Sequence, residues 1–94
     1  MELEFTGELW FWKGPAPHHF VTVPEPEADQ LAAVAPGVSY GYGMIPVTVR
    51  LGATEAKTAL GPKDGGYIVP VTLAIRRAEN IGVTDIVTVR LTVG

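Results

Sequence analysis

Cysteine is absent from the chain. That excludes disulfides, thiolate metal sites and a cysteine nucleophile. Serine occurs once, as Ser39, and histidine only as His18 and His19. No apolar run is long enough to cross a bilayer as a helix. Basic residues are outnumbered, 7 Lys and Arg against 10 Asp and Glu, for a formal charge of −3. This balance weighs against a general nucleic-acid binder, which usually carries a basic excess. The first residues, Met-Glu-Leu-Glu-Phe, are acidic and already alternate, unlike a signal peptide. Together these features favour a cytoplasmic protein with no membrane partner.

What is present is apolar and patterned. Hydrophobic residues make up 47% of the chain and charged residues 18%, which excludes disorder. Ninety-four residues make one domain, spanning 1–94, with a modest core. Val87, Val89, Leu91 and Val93 alternate with Thr88, Arg90 and Thr92, placing the aliphatic side chains on one face of a strand. Ile45, Val47, Val49 and Leu51 repeat the pattern. So does Glu2 to Trp12: Leu3, Phe5, Gly7, Leu9 and Phe11 share an expected core face, while Trp10 and Trp12 share the other with the glutamates. Further strands are expected over His18 to Val23, about Glu55 to Leu60, and Tyr67 to Val69. Helices are expected from Pro24-Glu-Pro-Glu to a stop at Pro36-Gly37, and from about Leu73 to Asn80. The second should carry an apolar stripe of Ala74, Ile75, Ala78 and Ile81, a Thr72 N-cap and an end at Gly82. Gly61 to Gly66 reads as a tight loop.

Val47–Leu51 and Val87–Leu91 are the same pentapeptide. Each follows a strand, a proline (Pro24 or Pro70) and a helix. The order reads as a degenerate internal repeat, about 18–51 and 67–93.

Catalytic constellations are tested and rejected. Gly37-Val38-Ser39-Tyr40-Gly41 has the spacing of a nucleophile elbow, which needs a strand before it, a helix after it and a later histidine. Here a helix precedes, a strand follows and both histidines come earlier. His18 and His19 are neighbours on a strand, so they point to opposite faces and cannot share a metal without a kink. The Gly61–Gly66 stretch lacks the phosphate-loop spacing. No catalytic residue, metal or cofactor is therefore assigned.

The segments FTGELWFWKGPAP, FVTVP, GMIPVTV, KTALGPKDGGYIVPV and IRRAENIGVTD-IVTVRL resemble a family of small bacterial domains of unknown function. Its members occur alone or fused ahead of a YdeI/OmpD-associated, bacteriocin-protection-like domain. Phe5, Trp12, Pro24, Gly43, Leu60, Pro62, Tyr67, Pro70, Arg77 and Gly82 are among the telling positions. The family often has an aromatic residue at Glu55-Ala56, a serine near Ala59 and Gly-Asp at Thr84-Asp85. The resemblance implies a mainly β fold: a small double-split, pseudo-two-fold β-barrel capped by two short helices, similar to the AbrB/MazE swapped-hairpin regulators. It assigns no activity. The expected function is a binding or interaction module for a protein or small ligand, as monomer or homodimer. The candidate ligand-binding residues are Trp10, Trp12, His18, Tyr40, Tyr42 and Arg77. The alternatives are a DNA-binding regulator of the swapped-hairpin type, which Arg50, Arg76, Arg77 and Arg90 would serve, and an enzyme of unknown reaction.

Overall fold

The computed structural model describes residues 1–94. The chain runs β1 (Glu2–Trp12), β2 (His18–Thr22), α1 (Glu25–Val38), β3 (Ile45–Leu51), β4 (Thr54–Lys63), β5 (Gly66–Pro70), α2 (Leu73–Glu79), β6 (Ile86–Val93). The strands close into a barrel in the order β1-β2-β5-β4-β3-β6, so the mainly β barrel with two helices is what the alternation predicts. Every strand has two neighbours, but β1 changes partner along its length, from β6 over Glu2–Glu8 to β2 over Leu9–Trp12, and β4 does so from β3 to β5. No helix is long and apolar enough to cross a membrane.

Period-two alternation fills the barrel. The 19 buried residues are all apolar, and none of the buried residues is polar or charged. Leu9, Val21, Ile45, Val49, Leu60, Val69 and Val89 are wholly enclosed. Phe11 departs from expectation. It continues the inward face of β1, but the strand outruns the core there, and the ring is 40% exposed against His19.

Exchanging β1 with β4, β2 with β5 and β3 with β6 leaves the ring order unchanged. The registers exchange as well. Phe11↔His19 becomes Pro62↔Tyr67, and Leu3↔Leu91 becomes Thr54↔Leu51. Arg50↔Arg90 and Val21↔Val69 map onto themselves. Val71 N–H donates to the His19 carbonyl at 2.9 Å, and its counterpart Val23 N–H donates to the Tyr67 carbonyl at 3.0 Å. Pro24 stands level with Thr72, the two helix N-caps, and not with Pro70.

Local chemistry moves several boundaries from where the residue types alone put them. α1 runs through Pro36 to Val38. The proline removes one N–H donor, but Ala32, whose carbonyl loses that donor, is exposed, so water can serve it. β4 extends through Gly61-Pro62-Lys63, and the turn shrinks to Asp64-Gly65. Both turn residues take positive φ, 51° and 80°, as a two-residue type I′ hairpin requires. Pro62 is tolerated because it lies beyond the last β3 pair, Ile45↔Leu60.

α2 buries only Ile75, while Ala74 and Ala78 are exposed. Thr72 caps it as expected, accepting from Ile75 N–H. Asn80, in the left-handed region at φ 52°, ends it ahead of Gly82. Glu79 at its C-terminal end accepts from the Thr54 hydroxyl and lies over Gly52, whose φ of 58° and missing Cβ both suit the close approach.

Thr84 holds φ 78°, where a β-branched side chain is strained. Its N–H is tied to the Leu9 carbonyl at 2.9 Å, so the angle is enforced by β1. Glycine at this position, as in the Gly-Asp form noted above, removes that strain. Thr84→Gly is expected to stabilise the fold by about 1 kcal/mol, after the greater freedom of unfolded glycine is deducted. Urea denaturation checks it, and a lower midpoint for the variant would be the contrary result.

Candidate functional site

The outer face of β1 and β2 carries the aromatic residues. Because Leu9 and Val21 point inward and pair, Trp10 and Phe20 point outward and pair, and Trp12 and His18 do so at the strand ends. The rings touch in series: Trp10 to Phe20 at 5.3 Å and His18 to Phe20 at 5.0 Å, both tilted. Trp10 Nε1–H donates to Thr22 Oγ1 at 2.9 Å, which satisfies the indole and fixes its plane. Trp12 is 42% exposed. Its six-membered ring lies directly over Gly14, where a Cβ would collide with it, so the turn after β1 holds the indole in place. Trp10, Trp12, Phe20, Pro62, Lys63 and Ile68 enclose a shallow cleft of about 220 Å³.

Tyr40 and Tyr42 sit in the loop between α1 and β3. Tyr40 N–H and Met44 N–H donate to each other's carbonyls at 2.9 Å, and Gly41 and Gly43 take the positive φ angles that the tight loop needs. Gly43 lies against Pro62, and Met44 near Gly61, so the loop borders the aromatic cleft on its β4 side. Tyr42 is 97% exposed and packs on nothing. Arg77 is exposed on α2 and does not line the cleft. The structure thus brings Trp10, Trp12 and His18 together, sets the tyrosines on an adjoining loop and leaves Arg77 apart.

Phe20, Pro62, Lys63 and Ile68 are not among the site residues expected from the sequence. Only the β1–β2–β5–β4 register brings them to the tryptophans. The outward alternation of Phe20 with Val21 was the available signal.

His18 and His19 diverge as adjacent strand residues must. His18 Nδ1 lies 2.8 Å from the His19 carbonyl. A carbonyl only accepts, so Nδ1 carries the proton and Nε2 is the free nitrogen of the neutral ring. His19 packs on Phe11 at 4.8 Å. Its pKa lies below the ordinary imidazole value, first through desolvation, then through Arg76 and His18. No group of three or more His, Asp or Glu side chains converges as metal ligands would. Ser39 caps the C-terminal end of α1 with its backbone N–H on Ala35, in a helix-to-loop setting unlike a strand-to-helix elbow.

On the opposite side of the barrel a row of charges crosses four strands. Arg50 and Arg90 are directly opposed, flanked by Glu55 and Glu4. Arg90 Nε meets Glu4 Oε1 at 2.6 Å, an exposed pair worth under about 1 kcal/mol.

One protein-family model, described as a domain of unknown function (DUF1905), matches residues 5–91. No curated protein matches the chain.

Proposed function

Since the chain belongs to the DUF1905 family of domains of unknown function, we propose that it is a cytoplasmic interaction module whose outer β1–β2 face receives a partner protein. The observation that carries this is the set of outward rings, Trp10, Trp12, His18 and Phe20, held in register, with Phe20 in contact with both Trp10 and His18. Tryptophan supplies large, rigid apolar area and is enriched where partners bind most strongly. The cleft, about 220 Å³, is smaller than the roughly 300–1,000 Å³ usual for small-molecule pockets, which favours a protein surface over an enclosed ligand. The tyrosine loop and Lys63 supply a polar border of the kind interfaces show.

Photo-crosslinking tests the reading. A benzoylphenylalanine placed at position 12 is expected to give a discrete adduct in lysate of the source cells. The same group at Thr48, outside the aromatic face, is expected to give none. Equal labelling from the two positions would oppose the proposal.

We also propose that the barrel descends from a duplicated ββαβ unit, and that this links it to the double-split barrels of the AbrB/MazE group. The exchangeable registers and the shared pentapeptide support that origin. It enlarges each repeat to include β1 and β4. Duplication would let one chain supply both halves of a barrel that two swapped chains build elsewhere, which favours a monomer. A DNA-binding role would follow from the same kinship. The flanking of Arg50 and Arg90 by Glu55 and Glu4 weighs against it, because phosphate would meet two carboxylates beside the two guanidinium groups. A mobility shift with random duplex at low salt would reverse that preference.

A further inference from the structure

We infer that the barrel mouth between β1, β2 and α2 binds a small organic anion, a carboxylate or phosphate carried on an apolar body. This site shares no residue with the tryptophan cleft and only His18 with the aromatic face, and its test can fail while the interaction face stands.

The mouth is a cleft of about 330 Å³ lined by Phe11, Pro17, His18, His19, Leu73 and Arg76. Its lining combines one permanent cation, two imidazoles and three apolar side chains, with no carboxylate. That is a selective absence in a chain carrying 10 acids and a net charge of −3. Phe11 and Leu73 are 40% and 51% exposed, so the cleft offers apolar surface that the core does not use. The cationic groups are positioned. Arg76 Nη1 donates to the Val71 carbonyl at 3.2 Å, and Val71 N–H donates to the His19 carbonyl at 2.9 Å. The remaining guanidinium donors are unassigned, and such a fork suits carboxylate and phosphate oxygens.

The other mouth shows that this charge is not imposed by the fold. Under the strand exchange, Pro17, His18 and His19 correspond to Gly65, Gly66 and Tyr67, while Leu73 and Arg76 correspond to Glu25 and Ala28. Gly65, Gly66, Tyr67, Glu25 and Ala28 line a second cleft, of about 400 Å³, together with Asp29, Asp64 and Lys63. Equivalent places on one barrel therefore carry opposite charge. The groups facing His19 are Phe11 from β1, His18 from its own strand, and Leu73 and Arg76 from α2. None can neutralise an added proton on His19, so a bound anion would supply the counter-charge, and its affinity should rise as His19 protonates.

The test is a titration of the full chain with benzoate, phenyl phosphate and the neutral control benzyl alcohol, followed by NMR. Perturbations are expected at Phe11, His19 and Arg76. At least one anion should bind about tenfold or more tightly than benzyl alcohol, as a charge-assisted hydrogen bond implies. The ratio of the two anions tells carboxylate from phosphate. Binding should tighten as the pH falls through and below the ordinary imidazole value of 6.5, because the His19 pKa lies under it. Leu73→Glu, which copies Glu25 of the other mouth at an exposed site, should weaken the anion about tenfold with the melting temperature unchanged. Arg76→Gln should weaken it too. Equal affinity for benzyl alcohol, perturbations elsewhere, no saturable binding, or indifference to Leu73→Glu would each overturn the assignment.

Discussion

Truncating Leu60 to alanine should cost about 2–5 kcal/mol, and Leu9→Ala should cost a similar amount. Both side chains are wholly buried, and they occupy exchange-related places on β4 and β1. Each truncation removes apolar contacts and leaves a cavity that a closed ring cannot collapse by shifting an edge strand. The effect is large against the total. A chain of 94 residues is expected to hold only about 5–14 kcal/mol of net stability. The melting temperature should therefore fall by roughly 8–40 °C, taking about 4–8 °C per kcal/mol for a domain of this length. Urea denaturation gives the free energies directly. Losses below about 1 kcal/mol at both positions would mean that the ring interior is not the packed core described above.

The two best-patterned strands were legible residue by residue. In β3 and β6 every second side chain is aliphatic and buried, because a strand buried on one face leaves no other arrangement for that pattern. The N-cap at Thr72 was equally local and equally readable. Errors gathered where the outcome depends on distant partners. Pro62 reads as a turn residue, yet it sits in β4 because the β3 pairing stops at Leu60, so no β3 carbonyl is left needing the N–H that proline lacks. Phe11 has the phase of a core residue but stands past the end of the core. Thr84 adopts a glycine-like angle because β1 holds its N–H, which no local propensity reveals.

The candidate site was half legible for the same reason. Period two puts Trp10 and Trp12 on one face, so their association could be read from spacing alone. Phe20, Ile68 and Pro62 join them only through the β1–β2–β5–β4 register, set by closure of the ring. The duplicated order was visible in the shared pentapeptide, but aligning the prolines displaced it. Pro24 corresponds to Thr72 because α2 begins with a threonine cap where α1 begins with a proline. Glu25 and Leu73, then brought level, give the two mouths their different character.

The central functional claim is that a partner seats on the Trp10–Trp12–Phe20 face. Trp12 is the side chain to remove. Its ring is held over Gly14, so the cost of ordering it is already met in the free protein. Because it is 42% exposed at the strand end, its loss should scarcely alter stability. A hot-spot tryptophan is worth about 2 kcal/mol or more, which is roughly a thirtyfold weakening. The decisive measurement is the dissociation constant of the crosslinked partner for the parent chain and for Trp12→Ala, with both shown to melt alike. A weakening of about thirtyfold or more is the expected result. Affinities equal within about twofold would contradict the assignment of this face as the binding surface.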